Sequence, residues 1–273
     1  MDSAHLDRPA DSYRTGLLSK DLPTELDRLR ALERSMDPTS IAILEALPIQ
    51  PSWHCLEMGA GAGSMAYWLA KQCLGGQVVA ADIDPRFLDA RRAANLDVAR
   101  IDLARHEFPP GTFDLIHSRA VLSHIPERDA VLRAAAGWLR PGGWLVVQDF
   151  VLLPPEPAAA SPLTPFIEAM ILGGPQQGND SRWTRRMPAA LTALGLERLQ
   201  LRTTALTAGL GGPADELWRI SLRQLAPAFL ERGAMTEEQV ATLADALERR
   251  TLVDFSFLFV SAWARRPLVG RPR

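Results

Sequence analysis

The sequence predicts an α/β domain built on a largely parallel sheet with helices over both faces. Two observations carry this. From about residue 53 to residue 150, short apolar runs alternate with longer amphipathic ones. The short runs are nearly continuously apolar rather than alternating, which is the pattern of strands buried on both sides. The bulk numbers agree: 273 residues with 47% hydrophobic and 23% charged content suffice for one large α/β domain.

Taken in order, residues 1–20 are polar and aperiodic and read as an arm. From Pro23 to about Leu47, Leu26, Leu29, Leu32, Ile41, Leu44 and Leu47 recur at helical spacing. Asp37-Pro38 is expected to divide them into two helices, because the residue before proline avoids the helical region. There follow a strand at 53–58, a helix at 63–73, a strand at 77–82, a helix at 85–94 and a strand at 98–102. Asp84 is expected to cap the second of these helices ahead of Pro85. A strand at 113–118, a helix at 127–139 and a strand at 144–150 complete the series, with Pro141 stopping the helix and Gly142-Gly143 turning into the strand.

After Phe150 the character changes. A proline-rich connector (152–165) leads to the short apolar helix PFIEAMIL and a loop at 173–181. A helix at 184–194, an alternating strand at 196–206, helices at 213–231 and 236–249, an apolar strand at 255–264 and a basic tail follow. The organisation expected is an N-terminal helical cap (1–47) on a ligand-binding domain (48–273), with 151–183 and 206–254 as further cap segments.

The net charge of −2 offers no basic surface for nucleic acid, and lysine occurs only at Lys20 and Lys71. No 18-residue apolar stretch is present, and the N-terminal MDSAHLDRPADSYR lacks a signal-like core. Cys55 and Cys73 are too far apart for a CxxC motif and read as buried reduced thiols, which suits a cytoplasmic protein without membrane contact. No two of the five histidines stand at metal-ligand spacing, so no metal site is expected.

The functional signal is LEMGAGAGS at 56–64, a glycine-rich turn between a strand and a helix. Such a turn aims backbone N–H groups at a ligand. A phosphate loop of the GxxxxGK[ST] type fails for want of the lysine. A dinucleotide fingerprint is met by Gly61, Gly63 and Ala66, with Asp82 at a suitable distance. A third pattern, an acid two residues before the first of three alternating glycines, is met by Glu57, Gly59, Gly61 and Gly63.

With that third pattern the chain resembles the class I S-adenosylmethionine-dependent methyltransferases. Three later stretches extend the resemblance: VVAADIDPRFL (78–88), ARIDLARHEFPPGTFDLIHSR (99–119) and LRPGGWLVVQDF (139–150). Together the four cover about residues 52–150 in family order. The resemblance implies a Rossmann-like, seven-stranded mixed sheet whose last strand pair is antiparallel. It implies S-adenosylmethionine as cofactor, lying on Gly59, Ala60, Gly61, Gly63 and Ser64 with Glu57 near its amino group. An acid there favours a ligand carrying an ammonium and a sulfonium and no phosphate. Asp82, with Ile83 beside it, matches the acid that takes both ribose hydroxyls, and Asp102 with Leu103 matches the adenine contacts. Ser118 and Arg119 are expected to face the cofactor from the end of the fourth strand, and Tyr13 to fold over it from the arm.

The phrases ERDAVLRAAAGWLRPGGWLVVQDF, ELWRISLRQL and VSAWARRP look like actinobacterial small-molecule methyltransferases. That likeness implies methyl transfer to O, N or C of a small, natural-product acceptor, and admits a homodimer. VLSHIPE (121–127) stands where many relatives carry a His-His pair; Ser123 replaces the first and His124 keeps the second. His124 is the candidate general base, oriented by Asp149. In the alternative, His124 packs a helix turn and Asp149 caps a loop. Two other functions stay open: a non-methylating rearrangement or decarboxylation on the same cofactor, or a non-catalytic cofactor-binding protein.

Overall fold

Seven strands form one sheet in the order β3-β2-β1-β4-β5-β7-β6 in the computed structural model, which describes residues 18–154, 161–173, 179–180 and 182–268. The strands are β1 (His54–Met58), β2 (Gln77–Asp82), β3 (Leu96–Arg100), β4 (Phe113–Arg119), β5 (Leu139–Leu152), β6 (Glu197–Ala208) and β7 (Asp254–Arg265). The first five run parallel, and β7 is antiparallel to both β5 and β6. This is the mixed sheet with an antiparallel last pair that the resemblance implies.

The apolar runs are continuous because alternate residues enter different cores. Cys55, Leu115 and Val146 face one layer; Leu56, Met58, Ile116 and Val147 face the other. The first layer is covered by helices α1 (Glu25–Glu45) and α2 (Ser64–Gln72). The second is covered by α3 (Arg128–Trp138) and α5 (Trp183–Ala193), whose Trp138 and Trp183 are fully buried. Helices α4 (Thr164–Gly173), α6 (Pro213–Glu231) and α7 (Glu237–Arg249) form a separate apolar cluster that holds Phe166, Trp218 and Phe229. Cys55 and Cys73 are free, both buried, with their Sγ atoms 3.6 Å apart.

Four details depart from the sequence reading. Residues 25–45 are one helix with an exposed Pro38 inside it, not two helices broken at Asp37-Pro38. Contacts on both sides of the proline hold the helix to the sheet. Asp37 accepts from Arg119 and Ser64, Ser40 donates to Gln148, and Met36, Ile43 and Leu44 are buried. The helix expected at 85–94 is a loop ending in a single 3-10 turn, Ala90–Arg92. Here the Asp89 carboxylate takes the Arg91 N–H and guanidinium, which competes with helical bonding. Asp84 accordingly caps no helix; it accepts from Arg86 N–H and pairs with the Arg86 side chain. The third strand is Leu96–Arg100 rather than 98–102. β5 begins earlier than expected because residues 140–143 bulge out of the pairing between Phe113↔Leu139 and Leu115↔Trp144.

An interior proline cannot donate to the carbonyl four residues earlier, here that of Arg34, at a cost of up to about 3 kcal/mol. Because Pro38 is exposed and its helix is held regardless, Pro38→Ala should raise folding stability by about 1–2 kcal/mol after the lost restriction of the unfolded chain is counted. Urea unfolding monitored by circular dichroism measures this, and a lower midpoint would contradict it.

Candidate functional site

The glycine turn lies beyond the C-terminal end of β1, where parallel α/β sheets place their ligands. Gly59 and Ala60 both donate to the Ala81 carbonyl (2.8 and 3.0 Å), which ties the turn to the end of β2. A Cβ on Gly59 would stand 2.2 Å from Val121 Cγ2, so this position admits no side chain. At Gly61 (φ +61°) the nearest atom to such a Cβ is Leu29 Cδ2 at 3.9 Å, so the missing side chain leaves open room above the backbone.

Asp82 ends β2 and is 5% exposed. Its Oδ2 accepts from Gly61 N–H (2.8 Å), and its Oδ1 accepts from Asp84 N–H and Lys20 Nζ (2.9 Å each). Glu57, in β1, is 3% exposed, and its Oε2 lies 2.6 Å from His117 Nδ1. His117 Nε2 lies 2.8 Å from Gln148 Oε1, which also accepts from Ser40 Oγ (2.7 Å), while Gln148 Nε2 donates to Ser261 Oγ (2.8 Å). Both ring nitrogens thus lie within hydrogen-bond distance of side-chain oxygens, which fixes the ring between β1 and β5.

Helix α1 supplies a second set of polar groups. Arg119, at the end of β4, donates to Asp37 (2.7 Å), Ser40 Oγ (3.3 Å) and Ser64 Oγ (3.0 Å). Ser64 N–H, at the start of α2, donates to Glu33 Oε1 (2.9 Å), and burial raises the Glu33 carboxyl above the usual carboxylate range. An acid over a helix N-terminus is favourably placed. Ser118 Oγ is buried and has no hydrogen-bond partner among the described residues, which leaves it open to a ligand.

After β3, Asp102 accepts from Ala104 N–H (3.0 Å) and pairs with Arg105, and Leu103 is 7% exposed. Ile83 follows Asp82, with its carbonyl taken by Arg100. Tyr13 lies outside the described residues.

The two candidates for proton transfer follow β4 and end β5. His124 ends the 3-10 turn Leu122–His124. Asp149 (1% exposed) accepts from Ser123 N–H (3.0 Å) and Oγ (3.1 Å), Trp183 Nε1 (3.1 Å) and Phe150 N–H (2.9 Å). Asp149 thus holds the Ser123 backbone and hydroxyl and the Trp183 indole in place. The short hydroxyl of Ser123 and its N–H both reach the carboxylate. Burial raises the Asp149 carboxyl, and burial with Arg28 and Arg128 nearby pushes the His124 imidazole down to about 4.

The turn, Asp82, Glu57, Ser118 and Arg119 thus converge at the C-terminal ends of β1, β2 and β4. An open backbone cradle, an acid at each side of it and an unpartnered buried hydroxyl fit a polar, cationic, diol-bearing cofactor of the S-adenosylmethionine kind. The sequence pattern does not reveal Lys20, Glu33, Asp37, Ser40 or Gln148. Their only signal is polar residues on the buried side of apolar elements, which becomes legible once α1 is known to lie on the sheet. Among the described residues no cluster could hold a metal ion, and no helix is long and apolar enough to cross a membrane.

Comparison with known proteins agrees with this geometry. Residues 56–147 match the family model described as a methyltransferase domain. Methyltransferase str3 of Strobilurus tenacellus is 33% identical over 156 residues, covering 54% of this chain and 56% of that protein. The ubiquinone biosynthesis O-methyltransferase of Xanthomonas campestris is 27% identical over 179 residues, covering 58% of this chain and 73% of that one. The matched stretch thus spans little more than half the length of the first of these relatives. Among solved structures, phosphoethanolamine N-methyltransferase 2 of Haemonchus contortus has the same fold. Its TM-score is 0.60 at 16% identity, with 90% of this chain and 58% of that chain covered.

The low value at His124 sets a pH dependence. The unfolded chain takes up this proton near 6.5 and the folded chain near 4. The group's contribution to stability is therefore complete above about 6.5 and is lost as pH falls toward 4. Asp149 acts in the opposite sense, so the comparison needs a variant. His124→Gln should flatten the fall in unfolding free energy, read from urea titrations, between pH 6.5 and 4 by about 2 kcal/mol relative to the parent chain. Parallel profiles for the two chains would contradict it.

Proposed function

We propose that the chain is a class I S-adenosylmethionine-dependent methyltransferase that transfers a methyl group to a small-molecule acceptor, in keeping with the methyltransferase-domain match over residues 56–147. The observation that carries this is the grouping of Gly61, Asp82 and Glu57 around one open stretch of backbone. Bound there, S-adenosylmethionine supplies an electrophilic methyl group on a sulfonium. Asp82 takes the ribose hydroxyls, since a carboxylate is suited to accept two hydrogen bonds from a diol. Glu57, held by His117, contributes negative charge to the amino-acid end, and Ser118 Oγ offers that region a free hydroxyl. Asp102, Ile83 and Leu103 border the adenine.

The acceptor side is proposed to lie under α1, α4, α6 and α7, the segments expected to cap the domain. Half-buried Phe150 and Phe257 lie against the Ala31, Met36 and Phe259 cluster there, an apolar and aromatic lining for a small organic acceptor. Of O, N and C, oxygen fits best as the atom methylated. His124 is neutral at pH 7 and so can accept a hydroxyl proton, and one relative is named for O-methylation. A natural-product acceptor is in keeping with the sequence phrases noted above.

Turnover of a panel of phenols and aliphatic alcohols, read as S-adenosylhomocysteine formed in proportion to methylated product, tests the reaction. Product without S-adenosylhomocysteine would replace it with a non-methylating reaction. Asp82→Ala should weaken S-adenosylmethionine binding at least about tenfold by calorimetry, the loss of a charge-assisted grip; unchanged affinity would remove the ribose assignment. His124→Ala should lower kcat by about a hundredfold with little change in cofactor affinity, and full activity would remove the base role.

A further inference from the structure

Lys20 is one of two lysines in the chain, and it is buried at the acid proposed to hold the cofactor's ribose. Its Nζ donates to Asp82 Oδ1 (2.9 Å) and to the Asp84 carbonyl (2.6 Å), and its side chain is 2% exposed. The ammonium also stands 5.5 Å from the centre of the Phe87 ring. Arg86 fixes the same segment from outside, donating to Asp21 Oδ1 (2.6 Å) and to the Lys20 carbonyl (3.4 Å). Residues 20–21 are thus clipped onto the end of β2 by ionic contacts.

A carboxylate offers about four lone-pair positions. Three donors already use those of Asp82: Lys20 Nζ and Asp84 N–H on Oδ1, and Gly61 N–H on Oδ2. A vicinal diol needs two positions, so one donor must give way. Gly61 and Asp84 donate from backbone whose course the turn and the strand end set, whereas Lys20 donates from a flexible side chain on the N-terminal segment. We propose that Lys20 is a built-in competitor for the ribose subsite: the diol and the N-terminal segment exclude one another at Asp82. The proposal rests on the cofactor reading above.

Two consequences follow. The site selects for ligands that carry the diol, because only they can replace the ammonium with two hydrogen bonds. And the apparent affinity is reduced by the fraction of molecules in which Asp82 is covered.

The test uses S-adenosylhomocysteine as probe and the full chain. Lys20→Met should bind it about tenfold more tightly by calorimetry. Independently of any variant, saturating S-adenosylhomocysteine should speed cleavage after Lys20 by a lysine-specific protease, read by mass spectrometry, while cleavage after Lys71 stays constant. Equal or weaker binding by Lys20→Met, or cleavage after Lys20 that S-adenosylhomocysteine leaves unchanged, overturns the competition. If neither chain binds the probe, the cofactor reading itself falls and this proposal with it.

Discussion

The buried contact between Glu57 and His117 is the constraint around which the site is built. A carboxylate taken out of water costs several kcal/mol unless it is paired and its remaining lone pairs are satisfied. Glu57 sits in the first strand of a sheet covered on both faces, so its partner must come from a neighbouring strand, and β4 supplies His117. His117 in turn needs an acceptor on its other nitrogen, which β5 supplies as Gln148. Gln148 then needs partners of its own, and these come from α1 and β7 as Ser40 and Ser261. Five elements distant in sequence are brought to one place because each of these buried polar groups needs a partner.

That chain of partners explains why the N-terminal helix belongs to the site. Ser40, Asp37 and Glu33 lie on one side of α1 and meet Gln148, Arg119 and the start of α2. The same helix turns another side to the cap, where Glu25 accepts from Gln224 and Arg34 pairs with Glu216. Helix α1 therefore bridges the glycine turn and α6, polar toward the first and mixed toward the second. The exposed interior proline is tolerated because these contacts, not intrinsic helix propensity, hold it.

Much of this was legible in the sequence. The continuous apolar runs disclosed the parallel strands, since alternate residues of β1 and β4 enter two separate cores. The spacing of Glu57, the glycines and Asp82 disclosed the turn. What local patterns could not disclose was decided by distant contacts. Asp37-Pro38 reads as a break, yet Arg119 and Gln148 hold the helix across it. Asp89 sits in a helix-like stretch, yet its side chain claims the backbone. Asp149 stands near His124 in the pattern, and the pattern does not show that Trp183, from a helix thirty-four residues on, also donates to it. Lys20 reads as part of a featureless arm because nothing in the spacing links residue 20 to residue 82.

The clasp between α1 and α6 has a bearing on how the molecule is made. Thr24 meets Gln224 and Arg34 meets Glu216, contacts about two hundred residues apart along the chain. A ribosome delivers the first helix long before its partner, and domains begin to fold from the N-terminal side as they emerge. The parallel strands and α2 can assemble early, since neighbours in their sheet are close in sequence. Helix α6 and the final strand must wait until near the end of synthesis, and closing so large a loop is slow. During that interval the apolar side of α1 is without its final cover. The nascent protein is therefore most exposed to aggregation just before α6 and β7 close over α1, with its glycine turn already formed.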